Sequence, residues 1–198
     1  KDISYDAIYE IIKNKKICKE DIIPPTPLYQ GGGQDGIKYT IEFYPEEGMY
    51  HYDGHRACGV SFIPEQTKKH RGICPVCKKP LVIGVMNRVD DLADRPLGEK
   101  PAGAAPFRKL VELDKIIAEA RDIKSRSSNK VQMEYRNLVK QGGNELNILL
   151  NLNLAELAKM TDAAVVEGIK RVREGRLIIK PGFDGQYGEV KIFSQPEK

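Results

Sequence analysis

Apolar residues at positions 5, 8, 9, 11 and 12, placed after a Ser4 suited to cap a helix, predict a short amphipathic helix at the start of the chain. A helix this short is marginal in water, so its apolar face needs cover from elsewhere. Periodicity then disappears over residues 16–36, where Pro24-Pro25-Thr26-Pro27 and Gly31-Gly32-Gly33 are linker chemistry. Residues 38–44 (KYTIEFY) are rich in β-branched and aromatic side chains, and Pro45-Glu46-Glu47-Gly48 predicts a turn that folds residues 49–52 back as a β-hairpin. Short strands are expected at 60–63 and 81–85, with a single helical turn over 64–69 opened by Pro64. The stretch 38–85 therefore reads as a small β unit with few core positions.

A helix is expected over 88–95, ended by the Pro-, Gly- and Ala-rich run 96–106 (PLGEKPAGAAP). From Phe107 onward the apolar spacing is helical, giving elements at 110–121, 129–141, 145–150, 154–160 and 163–174, punctuated by Gly142-Gly143 and Gly175. Residues 176–179 and 188–193 read as a terminal hairpin around a long loop. The predicted fold class is α+β: a small β ribbon followed by a short-helix bundle with a C-terminal β-hairpin. The expected organisation is a terminal helix left from a preceding domain (1–15), a linker (16–37), the ribbon and its following helix (38–95), a second linker (96–106) and the helical domain (107–198).

Composition narrows the chemistry. The chain has 198 residues, 40% of them hydrophobic and 30% charged, with three His, four Cys and no Trp. That suits small modules joined by linkers better than one large core. No run approaches the ~18 apolar residues of a membrane span, and the first residues do not form a signal peptide, so a soluble, cytoplasmic protein with no membrane partner is expected. A start at Lys1 is expected of a piece of something longer. The net charge of +4 is uneven: residues 1–48 carry six Lys against nine acids, whereas 121–140 carry six basic residues against two. A local basic segment is the footprint that nucleic-acid phosphates attract.

The sharpest motif is His55-x2-Cys58-x15-Cys74-x2-Cys77. Two donors separated by two residues lie on one tight knuckle, and two such knuckles brought together supply the four corners of a tetrahedron around zinc. Gly54, Gly59 and Gly72 border the knuckles, where sharp turns favour glycine. His55 is the fourth ligand favoured by spacing, with Cys18 and His51 as competitors. Four protein ligands leave no open position for water, so one structural zinc is expected, with no catalytic residue in this chain. His70 reads as an exposed loop residue. Gly31-Gly32-Gly33-Gln34-Asp35-Gly36 matches a dinucleotide fingerprint only in letters, because it lacks a preceding strand and a following helix. Ile37 stands where a P-loop requires Lys, and no nucleotide-triphosphate site is visible.

For nucleic acid, the candidate residues are Lys124, Arg126, Ser128 and Lys130, ahead of and at the start of a helix whose N–H groups could meet a phosphate. A solvated interhelical loop is the competing reading. Arg171 and Arg173 form a second, weaker basic face. Phe183 and Tyr187 in the terminal loop are suited to stacking on a base, and equally to anchoring the hairpin.

Residues 40–58 (TIEFYPEEGMYHYDGHRAC), 72–77 (GICPVC), 87–96 (NRVDDLADRP) and 181–188 (PGFDGQYG) together resemble the non-catalytic half of the endonuclease Q family. Those proteins are PHP-domain phosphoesterases with a zinc ribbon, and some carry a UvrD-like helicase name. The resemblance covers residues 38–198. It implies a metal-dependent hydrolase of DNA repair that nicks beside deaminated bases or abasic sites, with zinc on His55, Cys58, Cys74 and Cys77. It also implies a catalytic PHP domain upstream in the same polypeptide, of which residues 4–13 resemble the last helix. This chain alone would then be inactive and would bind DNA for that domain. The alternative from the residues themselves is a stand-alone zinc-ribbon adaptor that binds protein or RNA in replication or transcription, or a helicase-associated module.

Overall fold

The computed structural model describes residues 9–10, 38–96, 98–99 and 104–194. Tyr9 and Glu10 are helical; the rest of the expected terminal helix, the first linker and Cys18 lie outside the described residues. The class is α+β, with seven α-helices and three two-stranded sheets among the described residues.

In chain order the elements are β1 (Thr40–Glu42), a 3-10 turn (Pro45–Glu47), β2 (Asp53–His55), a second 3-10 turn (Arg56–Cys58), β3 (Val60–Phe62), α1 (Pro64–Lys69), α2 (Val85–Leu92) and β4 (Phe107–Lys109). Then come α3 (Leu113–Ala120), α4 (Asn129–Gly142), α5 (Glu145–Leu150), α6 (Leu154–Leu157), α7 (Ala163–Glu174), β5 (Ile178–Lys180) and β6 (Glu189–Lys191).

The helical half follows its caps. Ser128, Asn144, Asn153 and Asp162 each accept a backbone N–H of the helix they precede, and Gly175 ends α7 in the left-handed conformation at φ 67°. Helices α3, α4, α5 and α7 bury Leu113, Ile116, Ile117, Leu138, Ile148, Val165 and Ile169 in one core, which Val190, Ile192 and Phe193 close from the C-terminal side. Helices α3 and α7 cross closely at Gly168, where a Cβ would stand 2.7 Å from Ile116 Cγ2. The terminal hairpin forms as β5 against antiparallel β6, with Ile179 opposite Val190.

The first half departs from expectation. The hairpin predicted for 38–44 with 49–52 does not form. Pro45–Glu47 coils into a 3-10 turn, and β1 instead pairs in parallel with β4, Ile41 opposite Arg108, more than sixty residues away. Leu110 N–H continues that ladder to the Glu42 carbonyl, so α3 begins at Leu113 rather than at 110. The strand expected at 81–85 shrinks to a bridge between Val82 and Gly54. Its end becomes the entry to α2, because Gly84 N–H is taken by the buried Asp53 carboxylate (2.6 Å) and a Cβ on Gly84 would collide with the Tyr52 carbonyl at 2.4 Å. Helix α2 starts earlier than predicted, and α6 stops at Leu157 rather than 160.

The buried hydrophobic cluster of this half is Val60, Cys74 and Leu81. No described helix is long and apolar enough to cross a membrane.

Candidate metal centre and the surface around it

Strand β2 delivers His55 to the first knuckle, and the 3-10 turn Arg56–Cys58 brings Cys58 round to the same side. The turn closes with Gly59 N–H donating to the Arg56 carbonyl (3.0 Å) while Gly59 sits at φ 65°. The second knuckle closes over one residue more. Lys78 N–H donates to the Cys74 carbonyl (3.0 Å), and Lys78, directly after the second ligand like Gly59, sits at φ 62°. A lysine in this left-handed region carries steric cost that glycine avoids; its Nζ donates to the Pro75 carbonyl at 2.8 Å. The Cys74 N–H is held by the Lys79 carbonyl (2.8 Å), and Leu81 N–H by the Gly72 carbonyl (2.8 Å).

These turns converge the donor atoms of His55, Cys58, Cys74 and Cys77 to within 4.8 Å of one another, with Cys74 fully buried. Cys77 Sγ lies 3.7 Å from His55 Nδ1. A tetrahedral zinc with bonds of ~2.0–2.3 Å would set its ligands about 3.3–3.8 Å apart, so the set needs only a small contraction to close on the ion. The thiols differ in environment. Burial and then hydrogen bonding to its neighbours push Cys58 up to about 11. Burial also acts to raise Cys74, but the N–H groups of Cys77 and Val76 outweigh it and the thiol is lowered. Three thiolates this close repel one another; a dication is what lets all three ionise together. The residues fit zinc.

The competing ligands are placed elsewhere or not described. His51 is buried with its ring tilted against Tyr52, centroids 4.7 Å apart. His70 stacks on Phe62. Asp53, which sequence reading passed over, is 1% exposed and joins β2 to α2 through Gly84 N–H and Asn87 Nδ2 (2.7 Å).

The terminal loop reaches across to this half as a strap. Tyr52 N–H donates to the Gly182 carbonyl, Gly185 N–H to that of Met49, Gly182 N–H to that of Glu46 and Gly188 N–H to that of Glu47, all within 3.1 Å. Asp184 Oδ2 accepts the Arg56 N–H at 2.6 Å, inside the first knuckle. Phe183 packs on Gly54, where a Cβ would stand 2.4 Å from its ring, and bridges to Tyr52, so it anchors the loop at β2 beside the first knuckle. Close approach explains two glycines of PGFDGQYG, since a Cβ on Gly182 would lie 2.2 Å from the Gly48 carbonyl and one on Gly188 1.9 Å from the Glu46 carbonyl, while Gly185 sits at φ 77°.

The basic candidates fall into two groups. Arg126 is bound by Asp114 (2.6 Å) and Glu112, Arg171 by Glu167 and the Phe193 ring face, and Arg173 by the carbonyls of Leu149 and Ile148 at the end of α5. Ser128 is spent on capping α4. Lys124, Lys130 and Tyr187 stay exposed. A denser positive region went unnoticed in the sequence: residues 54–82 hold six Lys and Arg against one acid, Glu65. Among the described residues, only Lys68 of the six is in an ion pair, with Asp90 and Asp91. Arg56 and Lys78 lie on the two knuckles themselves. The signal was available as a charge count taken over the metal motif rather than over the helices.

Two knuckles carrying four potential metal donors, strapped to a small helical domain, define an α+β class of protein, and its fold matches part of the lesion-specific endonuclease known as endonuclease Q. The crystal structure of the lesion-specific endonuclease PfuEndoQ from Pyrococcus furiosus superposes with a TM-score of 0.74 at 26% identity, covering 96% of this chain and 42% of that one. Endonuclease Q in complex with a 27-mer duplex bearing an abasic lesion at the active site superposes with a TM-score of 0.71, also at 26% identity, over 98% of this chain and 44% of that one. The family described as the MJ0043 C-terminal domain matches residues 112–176, within the helical half. An uncharacterized protein of Methanocaldococcus jannaschii, MJ0043, is 34% identical over 154 residues, which is 78% of this chain and 19% of that protein. The chain thus spans less than half of each solved neighbour and about a fifth of the curated relative.

Proposed function

We propose that this chain is the DNA-binding, zinc-stabilised, non-catalytic portion of a DNA-repair endonuclease resembling endonuclease Q. The whole protein would act at deaminated bases or abasic sites, with a metal-dependent PHP domain in the same polypeptide performing hydrolysis. The observation that carries this reading is the likeness of nearly the whole chain to endonuclease Q, one solved neighbour of which holds an abasic duplex.

The chain's own chemistry supports the assignment. His55, Cys58, Cys74 and Cys77 would hold one zinc, whose role is to fix the two knuckles, since four protein ligands leave no position for a water nucleophile. The knuckles present Arg56, Lys78 and Lys79, whose side-chain charges are in no ion pair among the described residues, a surface suited to phosphates. Lys124, Lys130 and the exposed Tyr187 are secondary contacts, the tyrosine offering a ring face to an exposed base.

Fluorescence anisotropy with a duplex containing one abasic site tests this. Binding should weaken steeply with salt, each phosphate contact contributing about −0.9 to the slope of log K against log salt. Replacing Arg56, Lys78 and Lys79 together by Ala should weaken binding across sequences and make the slope shallower by about one for each phosphate no longer engaged. Undetectable binding at low salt would overturn the reading in favour of a zinc-ribbon adaptor for protein.

A further inference from the structure

A cavity of about 580 Å3 lies between the β1–β4 ladder and the ends of α5 and α7, away from the metal donors. That volume falls in the range of small-ligand sites. Its walls carry an excess of positive charge. Arg108 rests over the Tyr39 ring, its guanidinium carbon 5.2 Å from the centroid, and has no ion pair among the described residues. Arg173 stands across from it. Burial, and then the charge of Arg108, hold the Arg173 guanidinium below its ordinary range. The acid in the wall, Glu174, is already bound to Arg176 Nε at 2.6 Å.

Arg173 Nε and one terminal nitrogen satisfy the Leu149 and Ile148 carbonyls (2.8 and 2.7 Å), which leaves its other terminal nitrogen for a ligand. The negative ends of α5 and α7 offset part of this charge, each amounting to about half an elementary charge against two whole guanidinium charges. The Tyr39 ring holds Arg108 in place before any ligand arrives, through a cation–π contact. Phe107, half exposed at the rim, adds an aromatic face beside the cations. Paired guanidiniums suit the oxygens of a phosphate, and an adjoining aromatic face suits a base.

We propose that this cavity is a nucleotide-phosphate site, in which Arg108 and Arg173 receive the phosphate oxygens and Phe107 stacks against the base. The phosphate belongs either to a free mononucleotide or to a nucleic-acid strand. The site does not depend on the knuckle surface proposed for DNA.

Isothermal titration of the full, zinc-loaded chain with dAMP, deoxyadenosine, inorganic phosphate and a short single-stranded oligonucleotide tests it. The expected result is binding of dAMP and inorganic phosphate but not deoxyadenosine. Arg108→Ala should weaken dAMP at least tenfold, with melting temperature and zinc content checked in parallel, and Arg108→Gln serves as the second variant if the first folds poorly. Phe107→Ala should weaken dAMP and leave inorganic phosphate unchanged. If dAMP is silent but Arg108→Ala weakens the oligonucleotide while Arg56→Ala leaves that loss in place, the phosphate is that of a strand. If deoxyadenosine binds as well as dAMP, or if neither dAMP nor the oligonucleotide responds to Arg108, the site is overturned.

Discussion

The two halves of this molecule are held together by different physics. The helical half buries a continuous core running from Leu113 to Ile169 and closed by Ile192 and Phe193, whereas the knuckle half's own buried cluster is Val60, Cys74 and Leu81. So small a core cannot offset the entropy of ordering some fifty residues. Three devices take its place: a metal donor set, the Asp53 carboxylate bridging to α2, and the strap of residues 181–188. One half is specified by burial; the other rests on a donor set able to close on a metal ion and on hydrogen bonds from its neighbour.

The largest effect that separates them is metal removal. Structural zinc contributes on the order of 10 kcal/mol to folding such units. Chelation should therefore abolish hydrogen-exchange protection around Val60 and Leu81 while the amides of α3 and α7 stay protected. Simultaneous loss of both would show that the helical core is not independent. The converse variant is Ile116→Ala, which leaves a cavity against Gly168 and should cost about 2–5 kcal/mol in denaturant unfolding, with the zinc content unchanged. A fall in bound zinc would contradict the division.

Weakening the strap is the third test. Asp184→Ala removes the acceptor of the Arg56 N–H within the first knuckle. Outer-shell partners of this kind affect metal affinity by about 10–100-fold, and the lower end is expected, because Gly59 and the 3-10 turn still shape the knuckle. Competition with a colorimetric chelator measures it. Gly188→Ala should have a similar effect by driving the strap off the Glu46 carbonyl.

The smallest effect belongs to the helical half. Asp162 caps α7 and pairs with Arg121. Burial acts to raise its carboxyl, but Arg121 and the Val165 N–H outweigh it, so the folded value lies below the ordinary 3.8. Its contribution is therefore complete above pH 3.8 and is lost as pH falls through the depressed value. Asp162→Ala should cost about 1 kcal/mol near neutrality and flatten the acid limb of the stability profile. An unchanged acid limb would show that the pairing with Arg121 does not stabilise the fold.

What could be read from the sequence follows the same division. Helices over 145–150 and 163–174 were legible to the residue, because Asn144, Asp162 and Gly175 mark their ends locally. The knuckle spacing was legible because two residues between donors fix a turn without outside help. The pairing of β1 with β4 was not, since nothing in the alternation of residues 38–44 names a partner beyond a Pro- and Gly-rich run. Nor was the strap, whose glycines declare a close approach but not to what. The basic residues are harder to read for a related reason. Arg126, Arg171 and Arg173 count as charge in a sequence, while in the fold they meet Asp114, Glu167 and two helix-end carbonyls. Arg56, Lys78 and Lys79 sit in a motif whose spacing speaks for the metal, and lysines beside thiolates read as charge balance rather than as a phosphate surface.

X-ray absorption at the zinc edge of the purified chain tests the central claim most directly. One zinc per chain, with three sulfurs at about 2.3 Å and one nitrogen at about 2.0–2.1 Å, is the predicted shell for Cys58, Cys74, Cys77 and His55. A four-sulfur shell would give the fourth corner to Cys18, and a metal content well below one per chain would remove the centre that stands in for a core in this half of the fold.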